Sequence, residues 1–324
     1  MPIETMKLGT RDVIIGPSHN CRIPSIYQIE SFSRCNLQCP FCLTGIHKAP
    51  FDYAGSSMDM ALFEKIVERD LGGSNYIELQ MRGEPTLNKN LNDMVLRLRD
   101  KVFVGFSTHG GTLHVNRSME AALNCHFITI SIDAGSEEEY NKKRVGGNWT
   151  KLLTNLDELF FQRGMSMYPV IDLQLIETGE NWKQELTKLN ELADAHGWLG
   201  QIRSIHNTCK QWEDPTVLVI NNELCLNPWL SVSIKANGDV VACCMAFEDD
   251  PSISYGNLNE ASLEEIWNSE RVRDFRFKHL TNAAGLNGLS KPLPNTCQQC
   301  YSKSPALLHD KLVNSALKWA AETW

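Results

Sequence analysis

Between residues 26 and 206, short apolar runs alternate with longer stretches in which apolar residues return every three or four positions. The short runs lie at 26–29, 76–81, 102–107, 127–132, 170–176 and 202–205, and each has strand length. The longer stretches lie at 58–70, 91–100, 115–123, 151–163 and 182–196. In the first of these, apolar residues at 62, 63, 66 and 67 give helix spacing. Six strand–helix repeats predict an α/β parallel sheet with right-handed crossovers. Ligand chemistry in such a sheet gathers at the carboxyl ends of the strands.

The texture changes near residue 207. Residues 207–224 read as a connecting loop. Runs at 232–234 and 240–242 flank Asn237-Gly238-Asp239, a hairpin-turn signal. Residues 262–280 read as one helix, with Glu264 and Glu265 in its first turn. A stretch rich in Gly, Pro and Asn at 282–295 reads as loop. A final amphipathic helix over 305–324, with Leu307, Leu308, Leu312, Leu317 and Trp319, reads as packing. The division this predicts is an N-terminal extension at 1–25, a core at 26–206, a smaller domain at 207–302 and a C-terminal helix at 303–324. The two terminal segments are expected to cap an open side of the core or to line a pocket.

Composition narrows the class. The chain has 324 residues, 42% hydrophobic and 22% charged, enough for one large domain and a smaller one. A net charge of −8 argues against a nucleic-acid footprint, which would be basic. Met1-Pro2-Ile3-Glu4 lacks the basic start of a signal peptide, and no apolar run approaches membrane-spanning length. The expectation is a cytoplasmic protein without nucleic-acid or membrane partners. Eleven cysteines in such a chain point to metal rather than disulfides. They are grouped: Cys35, Cys39 and Cys42 early; Cys225, Cys243, Cys244, Cys297 and Cys300 late; Cys21, Cys125 and Cys209 isolated.

The early group, in Arg34-Cys35-Asn36-Leu37-Gln38-Cys39-Pro40-Phe41-Cys42, directly follows the first strand. Three thiolates on one tight loop can hold three irons of a [4Fe–4S] cube and leave the fourth open to a small molecule. A zinc loop is the alternative, although zinc normally takes four ligands in two pairs. The late group has twelve residues from Cys225 to Gly238, four more to Cys243, and a distant Cys297-x-x-Cys300. Four thiolates in two pairs make a closed site, for which structural zinc is a serious alternative to a cluster.

At these residues the chain resembles the radical S-adenosylmethionine (SAM) superfamily, whose cysteine triad has the spacing of Cys35, Cys39 and Cys42. The resemblance implies a partial (β/α)6 TIM-like barrel. Its open iron would bind the amino and carboxylate groups of SAM, and reductive cleavage would release a 5′-deoxyadenosyl radical that takes a substrate hydrogen. Phe41 matches an aromatic near the adenine; simple loop packing is the alternative. Gly83-Glu84-Pro85, after Arg82, looks like the motif that receives the SAM ammonium, where Gly lets the backbone approach and Pro fixes the bend. Ser107, Thr108 and His109 at one strand end, and Ser131 and Asp133 at the next, are similar to ribose-contacting segments. Arg144 matches an arginine that pairs with the SAM carboxylate, the alternative being an ion pair with residues 137–139. The late cysteines, with Gly256-Asn257-Leu258 and the segment 262–269, resemble the SPASM extension in its shortened twitch form. With no cysteine between Cys300 and Trp324, one auxiliary [4Fe–4S] cluster is expected on Cys225, Cys243, Cys297 and Cys300. Cys244 reads as a spare thiol or a hydrogen donor.

The reaction is less constrained. A closed auxiliary cluster exchanges electrons, which fits oxidation or epimerisation of a small polyol, sugar or nucleoside intermediate in specialised metabolism. Arg82, His109, Asp133, Asp172 and His206 are candidate bases. Maturation of a ribosomally made peptide is the first alternative; only 34 residues precede Cys35, short for a leader-binding domain. A non-enzymatic electron-transfer protein is the second, against which the open triad and the Gly-Glu-Pro turn argue. A flavodoxin or ferredoxin is the expected reductant.

Overall fold

The computed structural model describes residues 4–8, 11–15, 23–46, 57–72, 74–206, 225, 227–244, 253–283, 292–298 and 300. The loop expected at 207–224, the helix expected at 305–324, Cys21, Cys209 and the His206 side chain lie outside them. Two N-terminal strands, β1 (Glu4–Leu8) and β2 (Arg11–Ile15), pair antiparallel in a sheet of their own. The sequence reading left this segment without structure, yet Gly9-Thr10 between them is the Gly-X pair that favours a two-residue hairpin.

All six expected core strands form. They are β3 (Ile26–Ile29), β4 (Tyr76–Glu78), β5 (Phe103–Thr108), β6 (Phe127–Ser131), β7 (Val170–Glu177) and β8 (Gln201–His206). Each pairs parallel with the next. Helices Leu91–Leu98, Ser118–Asn124, Trp149–Arg163 and Trp182–His196 are the crossovers after β4, β5, β6 and β7. The segment 58–70 is an α-helix over Met60–Lys65, capped by Asp59, that widens into a π turn over Ile66–Asp70. The sheet does not close on itself, so the architecture is a partial barrel.

The change of texture near residue 207 does not mark a break in the sheet. Strand β9 (Ser231–Ile234) pairs parallel with β3 along its whole length. β10 (Asp239–Val241) and β11 (Ser254–Asn257) follow antiparallel, giving nine strands in the order β11-β10-β9-β3-β4-β5-β6-β7-β8. The expected turn lies between β9 and β10, where Gly238 takes φ +92° and the Asn237 side chain accepts from Asp239 N at 3.1 Å. The smaller domain thus extends the edge of the barrel with its own hairpin. Its helical segment is pinned to the barrel as well. Asp70, buried at the end of the π turn, accepts from Leu263 N at 3.0 Å, while Arg69 donates to Leu258 O and Ala261 O.

The single helix expected over 262–280 is two, Leu263–Trp267 and Glu270–Ala283. Ser262 and Glu265 form a reciprocal capping box at the start. Asn268 ends the first helix, and Ser269 Oγ accepts from Val272 N at 3.4 Å at the start of the second. Short polar side chains compete with the backbone ladder in this way, which helix periodicity alone does not reveal. The fully buried Arg276 then ties the pieces together: its guanidinium lies 4.4 Å from the Trp267 ring and donates to Pro228 O and Trp267 O.

Period two along parallel strands sets the barrel interior. Tyr76, Phe103 and Phe127 stack at its lower end, with centroids 5.0 Å apart for Tyr76–Phe127 and 5.6 Å for Phe103–Phe127. Burial of each such ring contributes about 2–3 kcal/mol. Two residues further along the same face the chemistry turns polar at Glu78 and Thr129, with Gln28 beside Glu78, and Ser107 follows one layer higher. The aromatic floor closes the bottom of the barrel, and the polar face opens toward the carboxyl ends of the strands.

Candidate active site

The triad loop is shaped by its own backbone. Cys42 N donates to Cys39 O at 3.1 Å, Gly45 N to Cys42 O at 2.9 Å, and Leu37 N to the Cys35 sulfur at 3.4 Å. A Cβ on Gly45 would sit 2.6 Å from Cys39 O, so this turn of the loop accepts only glycine. The loop is zipped to the turn after β4. Glu84 N donates to Arg34 O at 2.8 Å, and a Cβ on Gly83 would meet Phe32 O at 1.9 Å. The Gly-Glu-Pro glycine therefore permits close approach of one loop to the other.

Together they wall a cleft at the carboxyl ends of the strands. Its lining includes Cys35, Cys39, Cys42, Arg82, Gly83, Glu84, Ser107, Thr108, His109, Ser131 and Arg144. Gln80, Leu37 and Gly45 complete it and were not anticipated. Gln80 was legible in principle, since it follows Glu78 by two residues and so shares its face. Phe41, Pro85 and Asp133, also expected at the cofactor, stand behind the lining instead. Phe41 packs with Leu37 and Cys39, and Arg144 lies over its ring at 5.6 Å.

The Glu84 carboxylate is the hub of the cleft wall. Oε1 accepts from Thr86 N, Thr86 Oγ1 and Thr108 Oγ1 at 3.1, 2.6 and 2.6 Å, and Oε2 from His109 N at 3.0 Å. These bonds fix the ends of β4 and β5 against each other. His109 Nδ1 accepts from Gly111 N at 3.0 Å, which puts the proton on Nε2, facing Asn36 Oδ1 at 3.0 Å. Burial lowers the His109 pKa, with Glu84 opposing and Arg144 reinforcing the shift. The ring is a neutral clamp from the barrel to the triad loop, and its lone pair is occupied. Asn36 is another residue that sequence reasoning missed, hidden between two cysteines.

The other described candidates for a base each carry an ion pair. Arg82 is buried and ion-paired with Glu30 at 3.3 Å. Asp133, fully buried at φ +62°, accepts from Ile176 N at 2.8 Å and pairs with Arg144. Asp172 pairs with Arg203 at 2.5 Å. Asp133 is thus placed to aim Arg144, whose Nη1 reaches the Cys39 sulfur at 3.6 Å. Burial works against the Arg144 charge, but Asp133 and Cys39 outweigh it and raise its pKa.

Two observations test whether this cleft suits a cluster and SAM. Buried Arg144 Nε has no hydrogen-bond partner among the described residues. A desolvated guanidinium N–H beside the cleft calls for an acceptor such as a carboxylate. The donor set also fits. Burial, with Glu84 and the other two sulfurs adding to it, pushes the Cys35 thiol up to about 12, and burial raises Cys39. Thiols held protonated in this way yield their protons to metal, which stabilises the thiolates. Among the described residues no three His, Cys, Asp or Glu side chains meet at a single-ion site; the triad sulfurs stand around a shared cleft instead.

The late cysteines lie near one another around the end of β10. Cys243, half-buried, lies near Cys244, Cys297, Cys225 and Cys300, and desolvation followed by their mutual repulsion raises its pKa. The hairpin and the Cys297–Cys300 segment thus bring the two distant pairs together. Cys244 differs: it neighbours Glu78 and Cys300 and takes a hydrogen bond from Gln28, a residue of β3. Cys125, the isolated thiol within the core, donates to Ala122 O and Phe127 O and lies apart from both groups.

Family comparison agrees with this geometry. Residues 29–184 match the radical SAM superfamily, and residues 225–301 match the SPASM iron–sulfur cluster-binding domain. The chain belongs to the radical SAM superfamily of enzymes and carries a C-terminal SPASM domain. Its cofactors are a [4Fe–4S] cluster that binds SAM and auxiliary iron–sulfur chemistry in the SPASM domain. A curated relative from Pyrococcus furiosus, the tungsten-containing aldehyde ferredoxin oxidoreductase cofactor-modifying protein, is 25% identical over 301 residues, 77% of this chain and 82% of the relative. Among solved structures, BtrN in complex with AdoMet and 2-DOIA is 17% identical with a TM-score of 0.53, covering 88% of this chain and 98% of BtrN. anSMEcpe with bound AdoMet is 15% identical, TM-score 0.58, covering 91% and 96%. Streptococcus suis SuiB bound to precursor peptide SuiA is 11% identical, TM-score 0.57, covering 89% and 70%. At these identities the structures share the fold. No helix of the described residues is long and apolar enough to cross a membrane.

Proposed function

We propose that this enzyme abstracts a hydrogen atom from a small polyol, sugar or nucleoside intermediate, leading to oxidation or epimerisation. When bound, the reduced cluster supplies the electron that splits SAM into methionine and the 5′-deoxyadenosyl radical. The residues of this chain do the holding. Cys35, Cys39 and Cys42 carry the cluster, and the backbone of Gly83-Glu84-Pro85 receives the SAM ammonium. Arg144, aimed by Asp133, presents Nε to the carboxylate. Ser107, Thr108 and Ser131 face the ribose, and the apolar wall at Leu37 keeps water from the sulfonium. Cys225, Cys243, Cys297 and Cys300 hold one auxiliary [4Fe–4S] cluster, closed to substrate.

The observation that carries the small-molecule reading is the cleft itself. Beside the triad it is lined with small polar side chains, Gln80, Ser107, Thr108 and Ser131, groups suited to a hydroxyl-bearing ligand. The Pyrococcus relative is described as modifying a cofactor, a non-peptide target, which supports the same reading. A flavodoxin or ferredoxin is the proposed reductant, and the cytoplasm the proposed location. The second reading, peptide maturation, rests on the likeness to SuiB, whose structure holds a precursor peptide. The test is to incubate reconstituted, reduced protein and SAM anaerobically with host extract and quantify 5′-deoxyadenosine. Stimulation that survives prior digestion of the extract with a broad peptidase supports the small-molecule reading. Stimulation lost on digestion transfers the assignment to a peptide.

A further inference from the structure

The inward face of the barrel continues below the cleft, where Glu78, Ser107, Gln28, Asp172, Gln174 and Arg203 occupy adjacent strands. Register places them together. Gln28 lies opposite Glu78, Thr129 opposite both Ser107 and Asp172, and Gln174 opposite Arg203. All lie above the Tyr76–Phe103–Phe127 floor, and Ser107 also lines the cleft. Glu78, Gln28, Gln174 and Arg203 are half-buried rather than sealed, so they border open space.

We propose that this face is a substrate well for a neutral or cationic polyhydroxyl compound, with Glu78 and Asp172 as its acceptors, and that it rejects anionic substrates. The inference rests on the small-molecule reading above and adds the charge class and the residues that set it.

The argument is an account of partners. Arg203 is the cation of the well, and it is spent. Its Nε donates to Asp172 Oδ2 at 2.5 Å. With the Gln174 amide turned so that its oxygen faces the guanidinium, that oxygen accepts from Nη2 at 2.7 Å and Nη1 at 3.1 Å. At the mouth, Arg82 is ion-paired with Glu30, and Arg144 is ion-paired with Asp133 and keeps its Nε for the SAM carboxylate. The acceptors are not spent. Asp172 is 2% exposed, and its Oδ1 has no hydrogen-bond partner among the described residues. Among the described residues Glu78 accepts from neutral donors, Ser107 Oγ at 2.6 Å and Gln28 Nε2 at 3.4 Å. An incoming hydroxyl or ammonium would satisfy such carboxylates, whereas a phosphate or carboxylate would meet two of them in a medium that screens poorly.

Glu78 is further suited to a hydroxyl-bearing ligand. Burial raises its pKa, while Ser107, Gln28 and Arg203 pull it back. A carboxyl so balanced exchanges a proton with a bound hydroxyl more readily than a surface glutamate does.

The test uses reconstituted, SAM-loaded holoenzyme under anaerobic conditions and two probes with one ring, glucosamine and glucosamine 6-phosphate. Calorimetric titration is expected to show glucosamine binding at least tenfold more tightly than its phosphate. Glu78→Gln, nearly isosteric, is expected to weaken glucosamine binding about tenfold, the loss of a hydrogen bond to a charged group. Asp172→Asn is expected to act in the same direction, and thermal melting of each variant reports whether it folds. Tighter binding of the phosphate, no binding of either probe, or glucosamine affinity unchanged in both folded variants would overturn the proposal. The small-molecule reading fails on a different result, the loss of extract stimulation after peptidase digestion.

Discussion

The triad cleft and the group of late cysteines are built in opposite ways. The triad spans eight consecutive residues and takes its shape from local hydrogen bonds, Cys42 N to Cys39 O and Gly45 N to Cys42 O. The auxiliary cysteines come from three segments that only the long-range β3–β9 pairing and the helices after it bring together. Three sulfurs beside an open cleft leave a coordination place for SAM. On the proposed assignment, the four sulfurs of Cys225, Cys243, Cys297 and Cys300 would leave none. On that proposal, the number of ligands and the way they are assembled separate a site that does chemistry on a ligand from one that only exchanges electrons.

The largest expected effects break this contrast at its ligands. Cys39→Ala should reduce 5′-deoxyadenosine formation to background, a loss of about 10³-fold or more, since the cluster is what activates SAM. Cys243→Ala should lower iron content by about four per chain yet leave substrate-independent SAM cleavage within a few-fold of the parent. Iron analysis and product quantification on the two variants check both. Equal loss of SAM cleavage in the two would erase the distinction.

A smaller effect is expected at Arg144. Arg144→Gln removes a charge-assisted hydrogen bond and should weaken SAM binding by about 10- to 100-fold, measured as the dissociation constant of the reconstituted protein. Arg144→Lys should restore part of it. Unchanged affinity in Arg144→Gln would confine the residue to packing over Phe41.

How much of this was legible in the chain follows the same division between local and long-range order. The triad, the Gly-Glu-Pro turn and every barrel strand are local patterns, and each was readable from spacing or periodicity. Asn36, Gln80 and the Glu84 hub were not, because their partners lie on other strands and only the fold brings them together. Asp133 and Arg144 looked like two independent ligand contacts, and their mutual ion pair depends on a left-handed backbone at Asp133 that sequence does not announce. The split at Asn268-Ser269 and the β3–β9 pairing were missed for a related reason. Competing side-chain hydrogen bonds and parallel pairing across 200 residues leave no periodic trace.

Two further predictions sharpen the contrast through stability. Asp70 anchors the SPASM segment by accepting from Leu263 N and pairing with Arg69. Asp70→Ala should destabilise the protein by about 1–3 kcal/mol, seen in denaturant unfolding, with SAM affinity little changed. An unaltered midpoint would mean the hairpin alone holds the domain. The smallest effect concerns His126, stacked on Phe103 with Nδ1 accepting from Val104 N at 3.2 Å. Burial lowers its pKa to about 4, with Arg99 adding to the shift. The unfolded chain, with a histidine pKa of about 6.5, binds the proton first as pH falls. Stability from this group is therefore complete above about 6.5 and declines toward pH 4. His126→Gln should flatten unfolding free energy against pH across that window; an unchanged slope would assign the acid sensitivity to other groups.

The most direct test of the open-versus-closed account is electron paramagnetic resonance of the reduced Cys243→Ala variant, with and without SAM. The account predicts that SAM alters the signal of the one remaining cluster, as ligation of an open iron requires, and that Cys39→Ala shows a signal indifferent to SAM. A SAM-sensitive signal in Cys39→Ala, or an indifferent one in Cys243→Ala, would contradict it.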